Sequence, residues 1–352
     1  MEPVLNVHLN KITEAHELWK QHLPDIQLYY AMKCNPHPMI LQHIHELGIY
    51  FDCASKQEIM DALRWTTSDR IIYAHPCKFS SHITYSKETC IPLTVVDCEC
   101  EMYKMKELYP DCKLLLRIAV NDESSKCKLS SKFGCKMSDV YSLLVLSKQL
   151  NLSIVGFSFH VGSGCTQPSL YYDALWDCYT SSMIAESLGI FIDTIDIGGG
   201  FTKTNFISCA EQVKKGLSLL QGKKIISEVG RFLVEQSCTL YLQVVCKKKE
   251  DQRIYYLNDG VYGNLNCKIF DHATPVLQSN KPGKLFKSRV YGPTCDSFDL
   301  IEESILLPEL EVGDEVFIED FGAYTNASAT SFNGYTVETI QIDWNLDSGQ
   351  NS

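Results

Sequence analysis

The stretch Ile26-Gln27-Leu28-Tyr29-Tyr30-Ala31-Met32-Lys33-Cys34-Asn35-Pro36 decides the fold. Its apolar run, Ile26 to Met32, reads as a buried strand with Lys33 at its end, and Asn35-Pro36 and Pro38 break the backbone before a helical stretch begins. A lysine leaving a buried strand can act as a desolvated amine nucleophile, of the kind a Schiff-base lysine needs. It can equally snorkel to water on its own methylenes, and the stretch alone favours that plainer reading. The neighbouring chain shifts the balance.

Working outward, residues 1–9, with Val4, Leu5, Val7 and Leu9, read as a short strand. Residues 10–22 read as a helix with Ile12, Ala15, Leu18 and Trp19 on one stripe. Short apolar strands then alternate with helical segments. The strands are 27–32, 49–51, 71–74, 93–96, 114–118, 154–159, 194–197 and 225–227. Nearly every one ends in a polar or small residue: Lys33, Asp52, His75, Asp97, His160, the Gly198-Gly199-Gly200 triplet and Glu228, with Arg117 inside the fifth. Most intervening segments can hold a right-handed crossover helix; one is 136–150, with Val140, Leu143, Leu144 and Leu150 on its apolar stripe. Eight such units point to a (β/α)8 TIM-type barrel, whose chemistry gathers at the C-terminal strand ends. A doubly wound sheet would not so naturally use all eight.

After about residue 234 the pattern changes. Ser237–Cys246, Ile254–Leu257, Lys287–Tyr291, Glu315–Ile318 and Glu338–Ile342 alternate apolar and polar residues, with Gly, Pro and Asn between them. This predicts a mostly antiparallel β domain. The expected organisation is an N-terminal strand (1–9) joining the β domain, a barrel over 10–234, a β-sheet domain over 235–345 and a disordered tail over 346–352. Lys247-Lys248-Lys249 reads as a solvated hairpin tip.

Composition narrows the function. Hydrophobic residues make up 45% of the 352 and charged residues 21%, which supports a packed core. The net charge of −11 argues against nucleic acid as a partner and suits a small cationic substrate. The 16 cysteines are scattered, none in a Cys-x-x-Cys pair, and Cys98-Glu99-Cys100 is too tight for a usual zinc pair, so no metal is expected. Reduced thiols in a cytoplasmic protein fit this usage. No signal pattern opens the chain, and no run approaches the ~18 apolar residues of a membrane span.

The strand ends supply the parts of a pyridoxal phosphate site. Lys33 would form the Schiff base. The glycine triplet with Gly199 and Gly200, and the Gly230-Arg231 turn after strand eight, would bring backbone N–H groups and a forked cation to a phosphate. Glu228 could pair with a protonated pyridine nitrogen, and His160 could lie against the ring. In the second domain, Asp271 and Asp296 could recognise a distal cation, Cys295 could donate a proton to a carbanion and Tyr324 could reach a phosphate. Individually each of these is ordinary.

The ordered strings YAMKCNP, FDCAS, RIIYAHPCK, LLLRIA, KFG, SFHVGSGC, DIGGGF, NDGVYGNLNC, FDHA, YGPTCDSFD and FGAYTNASATSFNGY run from Tyr30 to Tyr335. They resemble the eukaryotic ornithine decarboxylase family, the group IV pyridoxal phosphate decarboxylases with an alanine racemase-type barrel. The resemblance implies pyridoxal 5'-phosphate as cofactor and a cytoplasmic homodimer with shared active sites, the Cys295-Asp296 loop coming from the other subunit. It implies decarboxylation of a basic amino acid, L-ornithine to putrescine in polyamine biosynthesis. Lysine, arginine or another amino acid, and a non-catalytic antizyme inhibitor-like regulator, are the alternatives. By the same resemblance Lys33 carries the cofactor and His160 stacks on it. Glu228 faces the pyridine nitrogen, and Ser163, Gly200, Gly230, Arg231 and Tyr324 bind phosphate. Asp52 and Arg117 support the cofactor end, Phe270, Asp271 and Asp296 line the substrate, and Cys295 is the proton donor. Val229, Phe270 and Ser297-Phe298 depart from the family pattern of proline, tyrosine and Gly-Leu. The family's antizyme-contacting region is basic, whereas residues 80–104 here are mixed and end acidic, so regulation by antizyme is doubtful.

Overall fold

The computed structural model describes residues 2–121, 125–127, 129–336 and 340–342. The expected tail, 346–352, lies outside them. The chain divides into two compact units, 15–232 and a second made of 1–14 with 233–352.

The first unit is a closed parallel barrel. Its strands are β1 (Ile26–Ala31), β2 (Tyr50–Cys53), β3 (Ile71–Tyr73), β4 (Leu93–Val96), β5 (Lys113–Arg117), β6 (Ser153–Ser158), β7 (Thr194–Asp196) and β8 (Lys224–Val229). The ring closes where β8 pairs with β1, Glu228 opposite Tyr29 and Val229 opposite Tyr30. Tyr29, Ile72, Ala74, Val95, Leu115 and Ile226 form a core cluster within it. The strands are buried on both faces because helices cover the outside, which is why they read as continuous apolar runs rather than alternating ones. Outside the barrel, the Trp19 indole packs on Phe201, Phe206 and Phe232 at ring distances of 5.0, 5.3 and 5.9 Å.

One boundary matters for the chemistry. The first strand stops at Ala31, and Met32–Cys34 form a 3-10 turn, so Lys33 sits on a turn rather than at a strand end. Asn35 completes the exit: its carbonyl accepts from the Tyr30 hydroxyl at 3.1 Å, and its side chain accepts from His37 N–H at 3.2 Å.

The second unit is built around β9 (Cys238–Lys249). It pairs antiparallel with the N-terminal strand Val4–Val7, with β10 (Arg253–Leu257) and with β13 (Glu315–Ile318). The sheet continues through β11 (Leu285–Tyr291) to β12 (Leu300–Pro308). Among the described residues two pairings of this unit are parallel, β10 with β11 and Val4–Val7 with Ile340–Ile342. The lysine cluster is not a hairpin tip. Lys247, Lys248 and Lys249 continue β9, opposite Tyr255, Ile254 and Arg253, and the turn follows them. Lys247 pairs with Glu311 at 2.5 Å, and Lys248 lies over the Tyr256 ring at 5.4 Å. Among the described residues no helix is long and apolar enough to cross a membrane.

Candidate active site

The barrel's C-terminal strand ends converge on Lys33. Its Nζ donates to Asp52 Oδ2 at 3.1 Å. The Asp52 side chain is fully buried while 48% of the Lys33 side chain reaches solvent, so the amine is ion-paired and half-exposed rather than desolvated. Burial raises the Asp52 carboxyl, against the lowering pull of Lys33 and Arg117. Arg117 ends β5 and lies over the Phe133 ring at 5.3 Å. The loop bearing Phe133 is held by Gly134 N–H donating to Asp97 at 2.8 Å and Cys135 N–H to the Arg117 carbonyl at 2.9 Å.

His160 follows β6. Its Nδ1 accepts from Gly162 N–H at 2.9 Å, which leaves the ring proton on Nε2. Burial, then Arg117 and Lys33, hold its imidazole well below the usual range, so it is neutral at physiological pH. The glycine triplet after β7 runs close beneath it. A Cβ on Gly199 would stand 2.6 Å from the Glu228 carbonyl oxygen and 3.0 Å from His160 Nε2. Gly200, at φ +108°, adopts a conformation that side chains rarely allow. The buried Tyr171 hydroxyl fixes this turn by donating to the Gly199 carbonyl at 2.8 Å.

Glu228 lies within β8. Burial first, and then the neighbouring Asp196 and Asp52 carboxylates, push it well above the ordinary range. One turn on, Gly230 leads into the short helix Arg231–Val234, and Arg231 Nε and Nη2 donate to Ser163 Oγ at 3.3 and 3.2 Å. The barrel thus brings together Lys33, Asp52, Arg117, His160, Glu228 and the glycine turn, and separately pairs Ser163 with Arg231.

The remaining sequence-predicted residues belong to the second unit. Asp271 caps the short helix Cys267–Phe270, whose last residue, Phe270, is exposed. In the loop 292–299, Asp296 accepts from the Tyr262 hydroxyl and, at 3.0 Å, from Phe298 N–H, and both bonds lower its carboxyl, the Phe298 one more. Exposed Cys295 donates its N–H to Asn333 at 3.0 Å. Asp299 clamps the loop from inside, accepting from Val261 N–H at 2.8 Å and from Thr294 N–H and Oγ1 at 3.0 and 2.8 Å. Tyr324 takes a left-handed backbone, φ +57°.

The family described as pyridoxal-dependent decarboxylase, pyridoxal binding domain, matches over residues 9–235. The chain belongs to that family. It is 42% identical over 350 residues to an ornithine decarboxylase of Schizosaccharomyces pombe, covering 94% of this chain and 81% of the yeast one. It is 36% identical over 356 residues to antizyme inhibitor 2 of Xenopus laevis, covering 93% and 78%. The structure of an arginine decarboxylase of Paramecium bursaria Chlorella virus, bound to agmatine, superposes with a TM-score of 0.94 at 30% identity, covering 97% of this chain and 96% of the viral one.

The cofactor of this decarboxylase family is pyridoxal phosphate, and the barrel mouth fits it. Asp52 Oδ1 and Ser158 Oγ are buried without a hydrogen-bond partner among the described residues. The Gly199-Gly200 turn packs too closely on its neighbours to admit a Cβ, and Ser163 with Arg231 forms a donor pair suited to a phosphate. Two features of the decarboxylase escaped the sequence reading. Asp196 was visible as the acid heading the DIGGG string, but its burial beside Glu228 was not. Tyr262 and Asp299 lie in unremarkable loops, and only the fold shows that they hold the segment carrying Cys295 and Asp296.

Proposed function

We propose that this decarboxylase acts on a small basic amino acid, L-ornithine first among them, giving putrescine for polyamine synthesis. The observation that carries the reading is the gathering at one barrel end of Lys33 on Asp52, His160, Glu228 and the glycine turn, with Ser163 and Arg231 forming a separate donor pair. Pyridoxal phosphate, once bound, supplies an electron sink for the pair released when the bond from Cα to the carboxylate breaks. Lys33 would hold it through Nζ, with His160 against one face and Glu228 at the ring nitrogen. Asp52 and Arg117 support the Lys33 end. Ser163, Gly199, Gly200, Gly230, Arg231 and Tyr324 would bind its phosphate.

On the second unit, Asp271 and Asp296 would hold the substrate's distal ammonium beside Phe270, and the hydrogen bonds that keep Asp296 ionised suit that task. Cys295 would deliver the proton to Cα. The working form is a homodimer in the cytoplasm, each site taking its Cys295-Asp296 loop from the second subunit. The reduced thiols of the described cysteines suit that compartment. Ornithine and lysine differ by one methylene, worth ~1–3 kcal/mol of discrimination, and Phe270 and Ser297 are where preference would be set.

The deciding experiment is a product assay with ornithine, lysine and arginine side by side, with the absorbance of bound cofactor followed in wild type and Lys33→Ala. Putrescine as the main product, with a cofactor band that Lys33→Ala abolishes, is expected. Cofactor bound without product from any substrate would turn the reading to a non-catalytic regulator, and agmatine or cadaverine would reassign the substrate.

A further inference from the structure

Asp196 has no task in the reading above, yet it is wholly buried at the end of β7. Its Oδ1 accepts from Gly198 N–H at 2.9 Å, which shapes the turn into the glycine triplet. The Gly198 carbonyl in turn accepts from Glu228 N–H at 2.9 Å and Ser227 Oγ at 2.7 Å, so the Asp196 and Glu228 carboxyls hang from one hydrogen-bonded turn and stand beside each other. The two carboxyls also meet directly, through a side-chain hydrogen bond between them.

The surrounding charges do not neutralise both acids. Lys33 from the turn after β1 and Arg117 from β5 are the cations; Asp52 on β2 already faces both. Glu58, on the helix after β2, is a further acid beside Asp52 and Lys33. His160 is neutral, and Tyr29 on β1 and Cys178 on the helix Ser169–Ser187 bring no positive charge. Among the described residues two cations therefore face Asp52, Glu58, Asp196 and Glu228, and adjacent carboxylates largely withdrawn from water do not both ionise under such conditions. The Gly198 N–H favours the anion on Asp196, which leaves the proton on Glu228.

We propose that Asp196 and Glu228 form a proton-sharing carboxyl pair, with Asp196 a positioning residue that keeps a proton on Glu228 until a base stands opposite it. This rests on reading the barrel mouth as the cofactor site. Glu228 releases the proton when its O–H bond breaks and an N–H bond forms at a basic ring nitrogen; nothing else moves. The shifts agree: burial and then Asp196 raise Glu228 far, whereas Asp196, raised by burial, rises to about 6.

Infrared titration of the full chain, purified without cofactor, tests this. Wild type at pH 7 is expected to show a protonated-carboxyl band that Glu228→Gln lacks. Asp196→Asn keeps the acceptor for Gly198 and removes the charge; it should weaken the proton affinity behind that band by about tenfold or more, a midpoint shift of about one pH unit. Asp196→Ser carries the same expectation should the asparagine variant fail to fold. No band in wild type at pH 7, or an unshifted midpoint in the variants, overturns the pair. An intact band in a chain that binds no pyridoxal phosphate would overturn the site reading and with it the role of Asp196. Normal cofactor binding with an unshifted midpoint overturns that role alone.

Discussion

At Gly199 there is room for a hydrogen atom and no more. A methyl there would press on the Glu228 carbonyl oxygen and on His160 Nε2, two groups fixed by other bonds. Gly199→Ala should weaken pyridoxal phosphate binding about tenfold or more, equivalent to ~1.4 kcal/mol, with the cofactor-free chain still folded. Cofactor titration followed by absorbance, alongside thermal unfolding, checks both halves. His16 makes a different kind of prediction. Burial, then Lys20 and His43, lower its imidazole from 6.5 to about 4. The folded chain therefore binds fewer protons there than the unfolded one between these values, so His16 contributes stability above pH 6.5 that is lost as pH falls toward 4. The span corresponds to roughly 3 kcal/mol. In His16→Gln the acid-side fall in stability, measured by urea unfolding at stepped pH, should be shallower by up to that amount; an unchanged slope would count against a neutral buried His16.

Among the elements, the third and fourth barrel strands are tied at their C-terminal ends by one buried lysine. Lys78 Nζ donates to the carbonyls of His75 at 3.1 Å and Val95 at 2.7 Å and pairs with Glu101 at 2.9 Å, both side chains almost wholly enclosed. Burial lowers the Lys78 amine while Glu101 pulls it back up. Glu101→Gln leaves that ammonium enclosed without its counter-charge, a loss of about 3–5 kcal/mol, whereas replacing both partners with apolar residues removes the enclosed charge and should cost less, even though it releases the part-exposed Lys104 from Glu101. Denaturant unfolding of Glu101→Gln and of a Lys78→Met/Glu101→Leu double variant separates the two cases. Elements of this kind mark the limit of what a sequence discloses. The eight barrel strands were legible because covered strands are short apolar runs, and their polar ends stood out against them. The Met32–Cys34 turn was not, because Met32 is as apolar as the strand before it and no glycine or proline intervenes. The lysines of β9 misled for the opposite reason: three charges resemble a turn, yet a paired strand whose end is exposed can carry them. The Lys78–Glu101 and Asp196–Glu228 pairs stayed hidden because burial of a charged group depends on the fold around it.

For the molecule as a whole, the candidate residues fall into two sets on two compact units, Lys33, His160 and Glu228 on 15–232 and Cys295 and Asp296 on the other. If each site is shared across a two-fold dimer, a subunit lacking Lys33 can still lend its loop, and one lacking Cys295 can still lend its barrel. Random pairing of Lys33→Ala and Cys295→Ala chains in equal amounts makes half of the dimers mixed. Each mixed dimer has one intact site and one doubly impaired, so about a quarter of wild-type activity should return. The measurement is product formation after mixing the two inactive variants under conditions that exchange subunits, with light scattering to establish the dimer. Two intact dimers that never regain activity, despite demonstrated exchange, would place both halves of the site in a single chain.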